Sequence, residues 1–157
     1  MTQQLLDWSL TASMKLYFKY FMRIIGLYGH GQCGKSATLN ELKELLRVAG
    51  KSISKQPHPY SESAETFEYK GQVICVAPAG DTRVIVEANC RYFKQKGCDV
   101  AISATRTKGG SVDALNEFAE SEGVKVEWIA KSYEYNLSEK TQKMCNKEIA
   151  EVIIKKI

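Results

Sequence analysis

The sequence contains no uninterrupted apolar run of the length that a membrane-spanning helix needs. It has no Cys-x-x-Cys pair. Its five cysteines, Cys33, Cys75, Cys90, Cys98 and Cys145, are odd in number and fall in apolar or helical stretches. A disulfide framework is not indicated, and free thiols in a reducing cytoplasm are expected. Charge of one sign is not concentrated anywhere. Lysine and arginine total 22 against 18 aspartates and glutamates, the net charge is +4, and the basic residues are scattered. A dedicated nucleic-acid binder gathers its basic residues on one face, and no such signal is present. Internal repeats and low-complexity tracts are also missing. What is present is ordinary for one globular domain: 157 residues, 44% hydrophobic and 25% charged.

Residues 1–21 form an N-terminal extension in which Trp8, Leu10, Leu16, Tyr17, Phe18 and Phe21 are interrupted by Lys15 and Lys19. The charges and the lack of a small-residue cleavage site argue against a secretory signal. An amphipathic, non-catalytic appendage is expected, and Met22 stands where a natural start would precede the first strand. The domain proper is expected over 22–157. There, short apolar runs alternate with helical patterns, beginning with a buried strand over 23–28. A helix follows with the stripe Leu39, Leu42, Leu46 and Ala49, stopping at Gly50. A short strand over 51–55 and an irregular segment over 56–65 lead to a hairpin turning at Lys70-Gly71. A helix over 82–96 turns Ile85, Val86, Ala88, Cys90, Tyr92 and Phe93 inward and Arg83, Glu87, Arg91 and Lys94 outward. The strand "DVAISA", the helix "VDALNEFAESEG" and the strand "VKVEWIA" follow. A last helix from about Ser138 is expected to turn Cys145, Ile149, Val152 and Ile153 inward. This alternation predicts an α/β fold, a mainly parallel sheet covered on both faces with one antiparallel hairpin strand.

Between the first strand and the first helix stands Gly29-His30-Gly31-Gln32-Cys33-Gly34-Lys35-Ser36, the Gly-x-x-x-x-Gly-Lys-Ser pattern of a phosphate-binding loop. Gly29, Gly31 and Gly34 permit positive φ values and close backbone approach. Successive N–H groups then form an anion nest, reinforced by the dipole of the following helix. Lys35 is expected to reach the β- and γ-phosphates, and Ser36 to bind Mg²⁺ through its hydroxyl. Ala37 closes the expected phosphate-contacting set from Gly29. His30 and Cys33 occupy variable positions and shape the loop without chemistry of their own.

On these residues the chain resembles the P-loop NTPase superfamily over 22–157. The resemblance implies a three-layer α/β/α P-loop fold and a Mg²⁺-bound nucleoside triphosphate. The segment "EYKGQVICVAPAGDTR" resembles the hairpin and switch of Ras-like small GTPases, in which a strand leads into Asp-x-x-Gly. Ala77 stands where that aspartate would be, Gly80 matches the glycine whose N–H senses the γ-phosphate, and Asp81 follows. The resemblance also implies a switch hydroxyl for Mg²⁺ after the second strand, which Ser61, Ser63 or Thr66 could supply. No Asn-Lys-x-Asp occurs, which disfavours a dedicated GTPase. No arginine-rich lid occurs, which disfavours a nucleotide kinase.

Phosphoryl transfer needs a second acidic group for the metal. Asp81 is the candidate, with the alternative that it caps the next helix; the two readings are compatible. Arg106 or Lys108, in the strand-end loop Thr105 to Gly110, could stabilise charge on the transferred phosphate or grip a second substrate. Otherwise the loop is a polar closure with Ser111 capping the next helix. Arg83 reads as part of the charged helix face. Glu41, Glu44, Glu117, Glu120 and Glu122 read as solvated faces. No general base stands out; His58 is a candidate on its loop position alone, and Tyr60 shares its loop.

Three functions follow as expectations. The first is a Mg²⁺-dependent ATPase or small-molecule kinase, cytoplasmic, using Lys35, Asp81 and Arg106, with ATP preferred and GTP possible. The second is a nucleotide-gated module whose output is a protein partner. The third is a phosphate-binding scaffold without chemistry.

Overall fold

Strand β1 (Arg23–Tyr28) sits inside a six-stranded sheet of order β2-β3-β4-β5-β1-β6. The computed structural model describes residues 21–31, 33–54, 63–132 and 137–157. The expectations for residues 1–20 and for His58, Tyr60 and Ser61 therefore lie outside the described residues. β1 pairs in parallel with β5 (Val100–Thr105) on one side and β6 (Val126–Ala130) on the other. β5 pairs in parallel with β4 (Gln72–Ala77). β3 (Glu65–Tyr69) then runs antiparallel both to β4 and to β2 (Lys51–Ser54), so it is the one reversed strand. The hairpin joining β3 to β4 turns on Lys70 (φ 51°) and Gly71 (φ 74°). Two successive left-handed residues match the right-handed twist of the flanking strands.

Helices α1 (Lys35–Ala49), α2 (Arg83–Lys96), α3 (Gly110–Ser121) and α4 (Glu139–Lys156) cover both faces of the sheet. Alternation along the strands separates two cores. Ile24, Cys75, Ala77 and Ala101 face Val86, Tyr92 and Phe93 of α2 and Leu115 of α3. Ile25, Leu27, Val76 and Ile102 face Leu39, Leu42 and Leu46 of α1 and Ala150 and Ile153 of α4. The result is three layers, α/β/α, with strands apolar on both sides as buried parallel strands are.

Two inward expectations are corrected. Val152 is 44% exposed, and Ala49 is exposed. On α4 the inward stripe runs instead through Asn146, Ala150 and Ile153, with Cys145 and Ile149 at its margin. Among the described residues, no helix is long and apolar enough to cross a membrane.

Candidate functional site

The loop leaving β1 enters α1 through Gly34, whose φ of 93° is left-handed and disfavours any residue with a Cβ. Gly34 is the only one of the three loop glycines with positive φ, which corrects the expectation for Gly29 and Gly31. Those two are glycine for space. A Cβ on Gly29 would overlap the carbonyl of Lys131, and one on Gly31 would lie 2.8 Å from the Arg106 guanidinium. Gln32 lies outside the described residues. His30 is exposed, while Cys33 is buried with its thiol beneath Gly29. Among the described residues, no side chain caps α1 at its N-cap Gly34. The N–H groups and the dipole at such a helix end favour negative charge.

Lys35, the first residue of α1, is only 5% exposed, and its Nζ donates to the Gly29 carbonyl at 2.6 Å. Burial pulls the pKa of its ammonium below the ordinary lysine value, opposed by the neighbouring Cys33 and Asp81 and assisted by Arg106. Ser36 and Ala37 follow, both exposed. The Ser36 hydroxyl donates to the Pro78 carbonyl at 3.0 Å and so joins α1 to the turn after β4.

That turn carries Asp81. Its two readings separate in the structure, because Thr82 is the cap of α2 and its hydroxyl accepts from Ile85 N at 3.2 Å. Asp81 instead points to the loop, with Oδ1 3.8 Å from Lys35 Nζ and 3.2 Å from Arg106 Nε. Lys35 from α1, Asp81 from the end of β4 and Arg106 from the end of β5 thus meet, although β5 separates β1 from β4 in the sheet. Asp81 and Arg106 are 54% and 46% exposed, so their ion pair is worth at most about 1 kcal/mol.

The turn itself is fixed. A Cβ on Gly80 would run into the Ala104 carbonyl, so glycine is required by the approach of β5. Asn89, buried on α2, donates from Nδ2 to the Ala79 carbonyl at 2.7 Å and to the Ser103 hydroxyl at 3.1 Å. Ser111 does not cap α3, which corrects that expectation. Its buried hydroxyl accepts from Arg106 N at 2.9 Å and so holds the arginine's backbone, while Gly109 begins the helix with no side-chain cap. Thr105 is buried with its hydroxyl on the Arg106 carbonyl, and Thr107 and Lys108 are exposed.

Two further residues reach the loop from α4 and β6. Asn146 is 8% exposed; its Oδ1 accepts from the Thr38 hydroxyl at 3.2 Å and stands 2.8 Å from where a Gly34 Cβ would be. Lys131, also buried, donates its backbone N–H to the Tyr28 carbonyl and presents its own carbonyl to Gly29. Asn89 and Asn146 were missed in sequence, although each stands at an inward helical position among apolar neighbours. A polar residue in an apolar stripe was the available signal.

Other candidates fall away. Thr66 is buried, bonded to Tyr92 Oη at 2.6 Å and near Cys75 Sγ, so it is a core group and no metal ligand. Ser63 is exposed, and its carbonyl accepts from Lys43. Arg83 pairs with Glu87 and Glu117 across α2 and α3, as a helix-face residue should. Glu122 departs from the solvated reading: its carboxylate is largely covered and takes Lys94 at 2.6 Å.

Among the described residues, no three His, Cys, Asp or Glu side chains gather as a metal cage. The Ser36 hydroxyl and Asp81 carboxylate are hard oxygen donors, the kind that hold Mg²⁺ together with water and substrate phosphates. No protein-family model matches the chain, and comparison with curated proteins and with solved structures returns no match.

Proposed function

We propose that the chain binds a Mg²⁺–nucleoside triphosphate on the loop Gly29–Ser36 and acts on its terminal phosphate, as an ATPase or a small-molecule kinase. The observation that carries this reading is the convergence of buried Lys35, exposed Asp81 and Arg106 at an uncapped helix N-terminus. One cation is fixed in the loop, and a second lies over the backbone at Gly31. The Asp81 carboxylate stands between them.

In this reading the loop N–H groups and Lys35 hold the β- and γ-phosphates, exchanging the Gly29 carbonyl for phosphate oxygens. Arg106 turns from Asp81 to the terminal phosphate, where negative charge accumulates as the bond to the bridging oxygen breaks. Ser36 Oγ and the Asp81 carboxylate would hold Mg²⁺, which would supply positive charge against the phosphates. The acceptor is water in the hydrolase and a second small molecule in the kinase. Thr107 and Lys108 beside Arg106 offer polar contacts for such an acceptor. The switch alternative needs the turn at Gly80 to move with the nucleotide. Its anchoring by Asn89 and by the tight seat of Gly80 on β5 supports the enzyme reading instead.

The test is phosphate release from ATP and from GTP with Mg²⁺, for the wild type, Lys35→Ala and Asp81→Asn. Turnover in the wild type that both substitutions abolish is the expected result. Failure of both nucleotides to bind would overturn the proposal, and binding without phosphate release would remove the ATPase reading and leave the kinase to be tested with added acceptors.

A further inference from the structure

The two edges of the sheet are protected unequally. At one edge β2 is four residues long and begins on Lys51, the short and charged kind of strand that resists further pairing. At the other edge β6 pairs only with β1 among the described residues, and Glu127, Trp128 and Ala130 along it are exposed. Trp128 is 36% exposed, yet its place is prepared. A Cβ on Gly26 would lie 2.4 Å from the indole, so glycine leaves room for that ring to lie against β1. Tyr28 meets the ring edge to face, with centroids 5.8 Å apart. From Trp128 a groove of about 790 Å³ runs back along β6, with Val126 and Trp128 on one side and Asn116, Ala119 and Glu120 of α3 on the other. The turn Gly123-Val124-Lys125 completes its lining. Its two charged residues, Glu120 and Lys125, are opposite in sign and exposed, so an apolar occupant need bury neither.

We infer that residues 1–20, which lie outside the described residues, cover this edge by seating an apolar helical stripe in the groove. Three observations choose that occupant. The first is the point of attachment. The segment runs directly into Phe21 and Met22, and Met22 is buried in the core that also holds Ala119, with Val124 and Val126 packed against it. Ile24 is level with Val126 in the parallel register, so the chain enters β1 beside the groove's own lining.

The second observation is the stripe. Leu6, Leu10, Met14 and Tyr17 follow one another at steps of four, four and three, the spacing of one helical face. Trp8, Ala12 and Lys15 fall on the opposite face. The third is length. A helix from Leu6 to Tyr17 is about 18 Å long. The five residues of β6 extend about 17 Å, so the stripe matches the strand it covers. Residues 18–21 are left to reverse the chain into β1. An amphipathic helix laid in an apolar groove is a common mode of peptide recognition, and here one chain supplies both parts.

The experiment reads Trp128 in the full chain. Trp8 lies off the stripe, so Trp8→Phe leaves Trp128 as the sole tryptophan. To that chain Leu10→Asp or Tyr17→Asp is added to break the stripe, and Ala12→Asp puts the same charge on the opposite face. Thermal melting selects folded variants, and two stripe positions ensure that one reports if the other misfolds. Acrylamide quenching of Trp128 should rise about twofold or more with either stripe variant and stay unchanged with Ala12→Asp. A short bis-maleimide should join Ser13→Cys to Asn116→Cys within one chain, identified by peptide mass. It should not join Ser13→Cys to Glu41→Cys, because α1 lies on the other face of the sheet. Equal quenching in all four chains would overturn the inference. Cross-links between two chains would overturn it by giving the groove to a second copy. Quenching that falls only when vesicles of phosphatidylcholine and phosphatidylglycerol are added would overturn it by giving the stripe to a lipid surface.

Discussion

The two flanks of the loop are held by different physics. On the β4–β5 flank, Asp81 and Arg106 meet as exposed charges on strand-end turns, in an ion pair that solvent screens. On the α4 flank, Asn146 is buried in a neutral contact with Thr38 and Gly34. The first flank can exchange partners at little cost; the second cannot be altered without disturbing the loop. Under the proposed function the two flanks would divide the work, the buried side keeping the loop in shape and the exposed side exchanging its ion pair for the ligand.

The largest effect is expected at the residue between the flanks. Lys35→Ala removes a charge-assisted contact and should weaken tripolyphosphate binding about a hundredfold, read by titration calorimetry. Next comes the buried flank. Gly34→Ala forces a left-handed φ on a side chain and presses it against Asn146. It should destabilise the fold by about 2–3 kcal/mol in denaturant unfolding. Gly97→Ala also has a left-handed backbone (φ 58°, ψ 43°) but open space around it, so it should cost only about 1 kcal/mol. Equal losses at the two glycines would show that the Asn146 contact adds nothing.

The exposed flank should respond with the opposite sign. Asp81→Asn removes the anion that competes with phosphate, so metal-free tripolyphosphate should bind about three- to tenfold tighter, while the gain on adding Mg²⁺ disappears. A weaker metal-free affinity would mean that Asp81 organises the cations and does not compete for them.

The smallest effect is in pH. Burial lowers the pKa of Lys35, so its proton leaves below the ordinary lysine value, and phosphate affinity should decline over that alkaline window. Between the folded and the higher unfolded pKa the unfolded chain binds more protons. Stability of the ligand-free protein therefore rises with pH across the same window. Asp81→Asn removes a contact that raises this pKa, so both profiles should shift to lower pH.

Much of the frame was legible because period and punctuation agree. The strand over 23–28, the helix ending at Gly50 and the turn at Lys70-Gly71 all stand where the pattern put them. Lys35 was legible from the glycine spacing, although the separate reasons for Gly29, Gly31 and Gly34 were not. Those depend on Lys131, Arg106 and Asn146, which lie far along the chain, and no local pattern encodes such approaches. That Thr82 and not Asp81 caps α2 rests on one side-chain contact, Thr82 Oγ1 with Ile85 N, which no local pattern distinguishes. Val152 misled because a single apolar residue on a surface helix can remain in solvent. Strand order was out of reach, since the placement of β5 between β1 and β4 is a matter of which edges meet.

The thiol of Cys33 gives the loop a clock. It is sealed beneath Gly29, and a cysteine-modifying reagent reaches it only when that cover lifts. Its modification rate therefore counts openings of the loop one by one. Cys145, only half-buried on α4, should react first and serves as the internal time standard. Any molecule that seats on the loop would slow the first count without touching the second, so occupancy can be read without a label on the ligand.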